Sequence, residues 1–217
     1  TQGEGHPDNT PGARFSAVSW IDDSGALWLF GGHGRDGVGL DDKLNDLWKY
    51  EPATECWTWI KGASTAGQMG NYGTQGLPAL DNTPGGRINA VKWTDGSDTL
   101  WLFGGYGYAA GSSGQLNDLW KYEMGNWTWI KGASTVNQIG IYGIKGEGHP
   151  DNTPGARSSA VTWIDDLGRL WLFGGTGYDG AENPVGSLND LWRYETGNWT
   201  WIKGASTTNQ IGVYGTQ

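Results

Sequence analysis

Ten residues able to stack or hydrogen-bond stand where a ligand-binding protein would place them. His33, Arg35, Asp36, Tyr106, Tyr108, Tyr178 and Asp179 follow paired glycines, while Tyr72, Tyr142 and Tyr214 each precede a glycine in Gly/Asn/Gln-rich stretches. Aromatic rings beside carboxylates and carboxamides suit carbohydrates: rings stack on sugar faces, and Asp or Asn side chains take paired hydroxyls. The competing reading is turn chemistry. In Asp-Asn-Thr-Pro-Gly the Asx side chain bonds its own backbone and Pro presets its torsion, and the Tyr of each Tyr-Gly fills space between neighbouring parts of the fold.

Other signals point to structure rather than reaction. His6 and His149 sit at equivalent positions of an internal repeat and His33 elsewhere, so only assembly would bring them together, and neither metal nor cofactor is expected. Asp22-Asp23-Ser24-Gly25 and Asp41-Asp42 lack the alternating oxygen ligands and closing bidentate Glu of a calcium loop. Asn126-Trp127-Thr128 and Asn198-Trp199-Thr200 match the glycosylation pattern, with the Trp expected inside and the Asn closing a turn. Cys56 is the only cysteine, which excludes an internal disulfide. No Gly-x-Ser-x-Gly, His-Glu-x-x-His or phosphate loop occurs, so no catalytic residues are expected. A net charge of −9, from 14 Lys+Arg against 23 Asp+Glu, argues against nucleic acid or an anionic membrane, because like charges repel.

The elements that carry these residues are set by repetition. Leu44-Asn45-Asp46-Leu47-Trp48-Lys49-Tyr50 returns at Leu116 and, with Arg193 for the lysine, at Leu188, a constant spacing of 72. Before it come an Arg-led segment (Arg14, Arg87, Arg157) and Leu-Trp-Leu-Phe-Gly-Gly; after it comes Trp-Thr-Trp-Ile-Lys-Gly. Each segment is short, Trp/Val/Ile/Leu-rich and closed by turn residues, the mark of a strand. None holds a 3.6-residue period. Val161 and Trp163 share one face, and Leu-Trp-Leu-Phe is apolar on both, as in a strand buried between two layers. Four antiparallel strands per unit, repeated radially, predict β-propeller blades. Each arginine is expected to pair with a carboxylate such as Asp46, Asp118 or Asp190, because a buried charge needs a partner.

At this point the residues resemble a known family. Gly31-Gly32 followed by Tyr50 and Trp57, with their equivalents, looks like the kelch signature. The Arg-led strand and Asn-Asp-Leu-Trp-Lys-Tyr are similar to bacterial kelch proteins related to the central domain of galactose oxidase. The resemblance covers the whole chain. It implies an all-β, kelch-type β-propeller with three four-stranded antiparallel blades, at about 12–62, 85–132 and 155–204, joined by long loops 63–84 and 133–154. It also implies a structural role for Gly31, Gly32, Gly104, Gly105, Gly174 and Gly175, and a bacterial, secreted or otherwise extracytoplasmic setting. Kelch propellers serve many unrelated tasks. Galactose oxidase chemistry needs copper held by His and Tyr, with one Tyr linked to Cys; here the histidines form no cluster and Cys56 is expected in a short turn at the opposite end.

In a four-stranded meander the connections alternate between two ends. The turns at Asp22–Gly25 and Asp165–Gly168 make one rim compact, and the long 31–43 and 62–86 connections make the other the working surface. Three blades are fewer than the four to eight of closed propellers, so two apolar blade faces are left open. Tyr214-Gly215-Thr216-Gln217 and Thr1-Gln2-Gly3 match the internal Tyr72-Gly73-Thr74-Gln75-Gly76, so the chain is expected to be cut inside an inter-blade loop. Head-to-tail contact can then close a ring, with two copies (six blades) favoured over three; the other reading is a segment of a longer propeller. The expected function is a non-catalytic binding or scaffolding module that self-associates, with a glycan or protein as possible ligand. The alternatives are a lectin with one site per blade and an enzyme at the channel mouth.

Overall fold

The computed structural model describes residues 1–95, 99–181 and 185–215. It is all-β: every sheet is antiparallel, and no helix occurs among the described residues. The architecture is consistent with a β-propeller-like domain. Each repeat unit builds one main sheet. In the first, Val18–Ile21, Leu27–Phe30, Leu47–Glu51 and Cys56–Lys61 lie side by side in chain order, and Gly5–His6 adds a fifth strand beside the last. Val91–Thr94, Leu100–Phe103, Leu119–Glu123 and Asn126–Lys131 form the second. Val161–Ile164, Leu170–Gly177, Gly186–Glu195 and Asn198–Lys203 form the third, edged by Gly148–His149.

Register assigns side chains to faces, because residues directly opposite in a sheet point the same way. Val18 pairs with Phe30 and Phe30 with Leu47, while Trp20 pairs with Trp28; these side chains make what we term the leading face. Leu27, Leu29, Trp48 and Tyr50 make the trailing face. The leading face of unit one (Val18, Trp20, Phe30, Leu47) packs on the trailing face of unit two (Leu100, Leu102, Trp120, Tyr122, Trp127) as one core cluster. Trp93, Phe103 and Leu119 of unit two likewise pack on Leu170, Leu172, Trp192, Tyr194 and Trp199 of unit three. The interior is therefore between sheets, and Trp20, Trp93, Trp120, Trp127, Trp192 and Trp199 are among its filling.

Two features differ from the sequence expectation. The connection after each Gly-Gly is no open loop: His33–Arg35 pairs with Asp41–Lys43, and Tyr106–Tyr108 with Ser113–Gln115. In unit three the second and third strands simply run on. The Arg-led segment is also split, because Ser16, Asn89 and Ser159 adopt φ of 54°, 52° and 56°. Arg14–Phe15 then pairs with the extension hairpin while Val18–Ile21 stays on the main sheet. Gly105 shows why the paired glycines are needed: its φ is 95°, and a Cβ there would lie 2.7 Å from the Ile88 carbonyl oxygen and 3.0 Å from the Ala90 Cβ.

Candidate functional site

Three acidic nodes recur beneath the rim that carries the extension hairpins. In unit two Arg87 forks onto Asp118, Nη1 to Oδ1 at 2.7 Å and Nη2 to Oδ2 at 2.8 Å, and its Nη1 also donates to the Gly104 carbonyl at 3.0 Å. Asp118 Oδ2 accepts two further bonds, from Trp120 Nε1 and the Tyr72 hydroxyl, both at 2.7 Å. Arg157, Asp190, Trp192 and Tyr142 repeat this in unit three. Arg14 and Asp46 repeat the fork in unit one at 2.6 and 2.8 Å. Buried carboxylates are hydrogen-bonded as a rule: Asp118 and Asp190 each accept four bonds in these nodes and Asp46 accepts three. Burial and the neighbouring carboxylate both push the Tyr72 and Tyr142 phenols up. Burial alone would raise Asp190; the Arg157 charge and its hydrogen bonds outweigh it and hold the carboxyl low.

The tyrosines are how units interlock. Tyr72 leaves unit one and packs on Trp120 and Trp129, ring centroids 4.9 and 5.2 Å away; Tyr142 leaves unit two and packs on Trp192 and Trp201 at 4.9 and 5.0 Å. Both are buried, so their rings serve inter-unit packing and offer nothing to a ligand. Tyr214, at the same repeat position, is 97% exposed.

The rim residues divide. Asp36 accepts backbone N–H bonds from Ala66, Val38 and Leu40, which hold its carboxyl below the usual range and tie the hairpin down. Asp179 is buried and accepts from Ala181 and Thr208 N–H. Arg35 donates to the Gly39 carbonyl across its own turn, and Tyr178 is half-buried. His33 stacks on exposed Phe15 at 5.2 Å and lies 3.2 Å from Asp41. Across the boundary between units one and two, Lys43 Nζ sits over the Tyr106 and Tyr108 rings, 5.4 and 4.7 Å from their centroids. The Tyr108 hydroxyl donates to Asp42 at 2.6 Å, and that bond, with burial, pushes the phenol up to about 12. Phe15 and Lys43 are absent from the sequence candidates, and Asp42 enters there only within a rejected calcium loop. Units two and three carry Gln115 and Ser187 where unit one has Lys43, so reasoning by repeat equivalence passes over it. No group of three or more metal-ligating side chains occurs among the described residues.

On the compact rim, Asp22 accepts N–H bonds from Ser24 and Ala26 and the Trp28 indole N–H at 2.8 Å, which is turn chemistry. Cys56 lies at the start of a strand rather than in the turn, opposite Glu51.

The two end faces are the largest departure from a closed core. Val161, Trp163 and Phe173 on the leading face of unit three are 50%, 54% and 39% exposed, against 6%, 6% and 0% for Val18, Trp20 and Phe30. With Asp165, Trp171 and Leu191 the latter two bound an open apolar depression of about 590 Å³. On the opposite end Leu27 is 38% exposed, whereas Leu100 and Leu170 are 0% and 3%.

No protein-family description and no curated protein matches the chain. Among solved structures it is similar to one titled "Structure of YjhT", with a TM-score of 0.56 and 16% identity over 90% of this chain and 54% of that one. The likeness is one of fold. The chain thus spans about half the length of that neighbour.

Proposed function

We propose that the chain is a non-catalytic, kelch-type β-propeller segment that binds or scaffolds and completes its ring by head-to-tail association. The observation that carries this reading is the contrast at one repeat position: Trp20 and Trp93 are 6% and 3% exposed, and Trp163 is 54% exposed. Its fellows on that face are uncovered with it. Apolar patches of more than a few hundred Å² mark interfaces, and the trailing face of unit one has the residue types that cover this face inside the chain. Leading face on trailing face is a heterologous contact, which closes when the rotation permits. Two copies, six units, are favoured, because six lies within the four to eight blades of closed propellers and nine does not. The working surface is the hairpin rim, where Phe15, His33, Lys43, Tyr106 and Tyr108 gather. A carbohydrate ligand there is the second reading, favoured by the exposed Phe15 and Tyr106 rings beside Asp41 and Asp42. Light scattering tests the association: the expected mass is twice 23.4 kDa, and a stable species of 23.4 kDa at tens of micromolar would overturn it. A glycan array tests the rim reading, and failure of every immobilised sugar to bind would remove it.

A further inference from the structure

Resting on the head-to-tail reading, we infer that unit one carries a phenol-binding socket whose occupant is Tyr214 of a second copy. Equivalent residues of units three and one carry the assignment. Tyr142 sits against Trp192, Trp201 and Gly180 and donates to Asp190 Oδ2 at 2.7 Å. The corresponding residues of unit one are Trp48, Trp59, Gly37 and Asp46, and they line a cavity of about 250 Å³ together with Arg14. Asp46 Oδ2 already accepts from Arg14 Nη2 and Trp48 Nε1 at 2.8 and 2.7 Å, the same two donors that Asp118 and Asp190 receive. The third donor in those units is the phenol. The Arg14 and Asp46 side chains are accordingly 6% and 9% exposed, whereas both partners of the Arg87–Asp118 and Arg157–Asp190 pairs are 0% exposed.

The segment bearing Tyr214 has a matching backbone pattern. Asn71 exchanges both N–H bonds with Thr83, Ile141 does so with Thr153, and Gly140 N–H donates to the Asp179 carbonyl. By equivalence Val213 bridges Thr10 and Gly212 N–H meets the Asp36 carbonyl of the second copy. In a single copy this stretch has no cover: Ile211, Val213 and Tyr214 are 85%, 93% and 97% exposed. The socket selects for a para-hydroxylated ring, because its two indoles take the ring and its carboxylate takes the hydroxyl. Phenylalanine satisfies the first and leaves the second unmet.

Because Tyr214 is solvent-exposed in the single copy, Tyr214→Ala and Tyr214→Phe leave the fold of that copy intact, checked by their melting curves. A two-copy ring closes two sockets, so sedimentation equilibrium should show a dissociation constant raised at least about 900-fold in Tyr214→Ala, roughly 30-fold per socket, and about 100-fold in Tyr214→Phe, roughly 10-fold per socket, the size of one hydrogen bond to a charged group. Association of Tyr214→Ala within threefold of the parent protein would overturn the socket while leaving face-to-face pairing standing. A second arm does not depend on association: the capped peptide Asn-Gln-Ile-Gly-Val-Tyr-Gly added to the Tyr214→Ala chain should shift the indole N–H resonances of Trp48 and Trp59. The same peptide with Ala for Tyr should shift neither. No shift at millimolar peptide overturns the socket, and a shift in a protein that proves monomeric upholds the socket while removing the ring.

Discussion

Trp163 and Trp93 occupy one repeat position and differ only in what covers them, so the same substitution at each should have separable effects. Trp93 is 3% exposed, and its indole N–H donates to the Trp171 carbonyl of the next unit at 3.0 Å. Trp163 is 54% exposed, and head-to-tail association would carry its N–H to the Trp28 carbonyl of the second copy. Trp93→Ala opens an internal cavity and should cost about 3–5 kcal/mol of folding stability, read as a lowered denaturation midpoint. For Trp163→Ala the ring area at stake is roughly half of a side chain that carries about 200 Å². At about 25 cal/mol per Å² that is ~2.5 kcal/mol, or roughly 70-fold, at each contact; a two-copy ring holds two such contacts, so the dissociation constant should rise by about 5,000-fold. The folding midpoint, measured at a concentration low enough to keep both proteins monomeric, should move by less than about 1 kcal/mol, as for a surface site. Sedimentation equilibrium on the parent and variant supplies the first number and urea titration the second. A Trp163→Ala chain that associates within threefold of the parent would refute the reasoning, because the exposed indole would then have no partner.

Two further outcomes concern the buried nodes. Replacing Arg157 by Met leaves Asp190, which is 0% exposed, as an uncompensated charge, and should cost about 3–5 kcal/mol by chemical denaturation; a loss under 1 kcal/mol would show that the pair is not desolvated. Stability should also fall at both ends of the pH scale. The folded Asp190 carboxyl lies below its ordinary 3.8 because of Arg157 and its hydrogen bonds, despite burial, so its contribution is present above that value and drains away as pH falls through the folded one. Tyr72 and Tyr142 are raised above 10.0 by burial and by Asp118 and Asp190, so theirs is present below pH 10 and is lost as pH climbs beyond it. Denaturation midpoints measured from pH 2 to 12 check this, and a flat alkaline limb would contradict the buried phenols.

How much of this was legible in the sequence follows from what each feature depends on. The 72-residue period and the Val-x-Trp and Leu-Trp-Leu-Phe runs expose the main sheets, because strand burial writes itself into side-chain alternation. The extension hairpins were hidden: His33-Gly34-Arg35 and Asp41-Asp42-Lys43 carry no apolar alternation, and their pairing rests on backbone bonds to Arg14–Phe15. The break at Ser16, Asn89 and Ser159 was equally silent, since these residues reach positive φ without glycine. The arginine–aspartate forks were readable from the cost of burying a lone charge. The role of the Tyr-Gly tyrosines was open between ligand contact and packing, and only the position of Trp120, Trp129, Trp192 and Trp201 around them decides for packing. The Lys43–Tyr106–Tyr108 cluster spans a unit boundary and occurs once, so no repeat argument reveals it.

One sheet's leading face is made for another's trailing face, inside the chain and across its open ends. Two single-face variants test it directly. Trp163→Glu places a charge on the exposed leading face of unit three, and Leu27→Glu places one on the trailing face of unit one, where Leu27 is 38% exposed. Each variant alone should sediment as a 23.4 kDa species. In an equimolar mixture one intact leading face meets one intact trailing face while both glutamates fall in the ring's other contact, and the intact contact should hold a 1:1 complex. A mixture that stays monomeric, or a Leu27→Glu chain that associates by itself, would contradict the account.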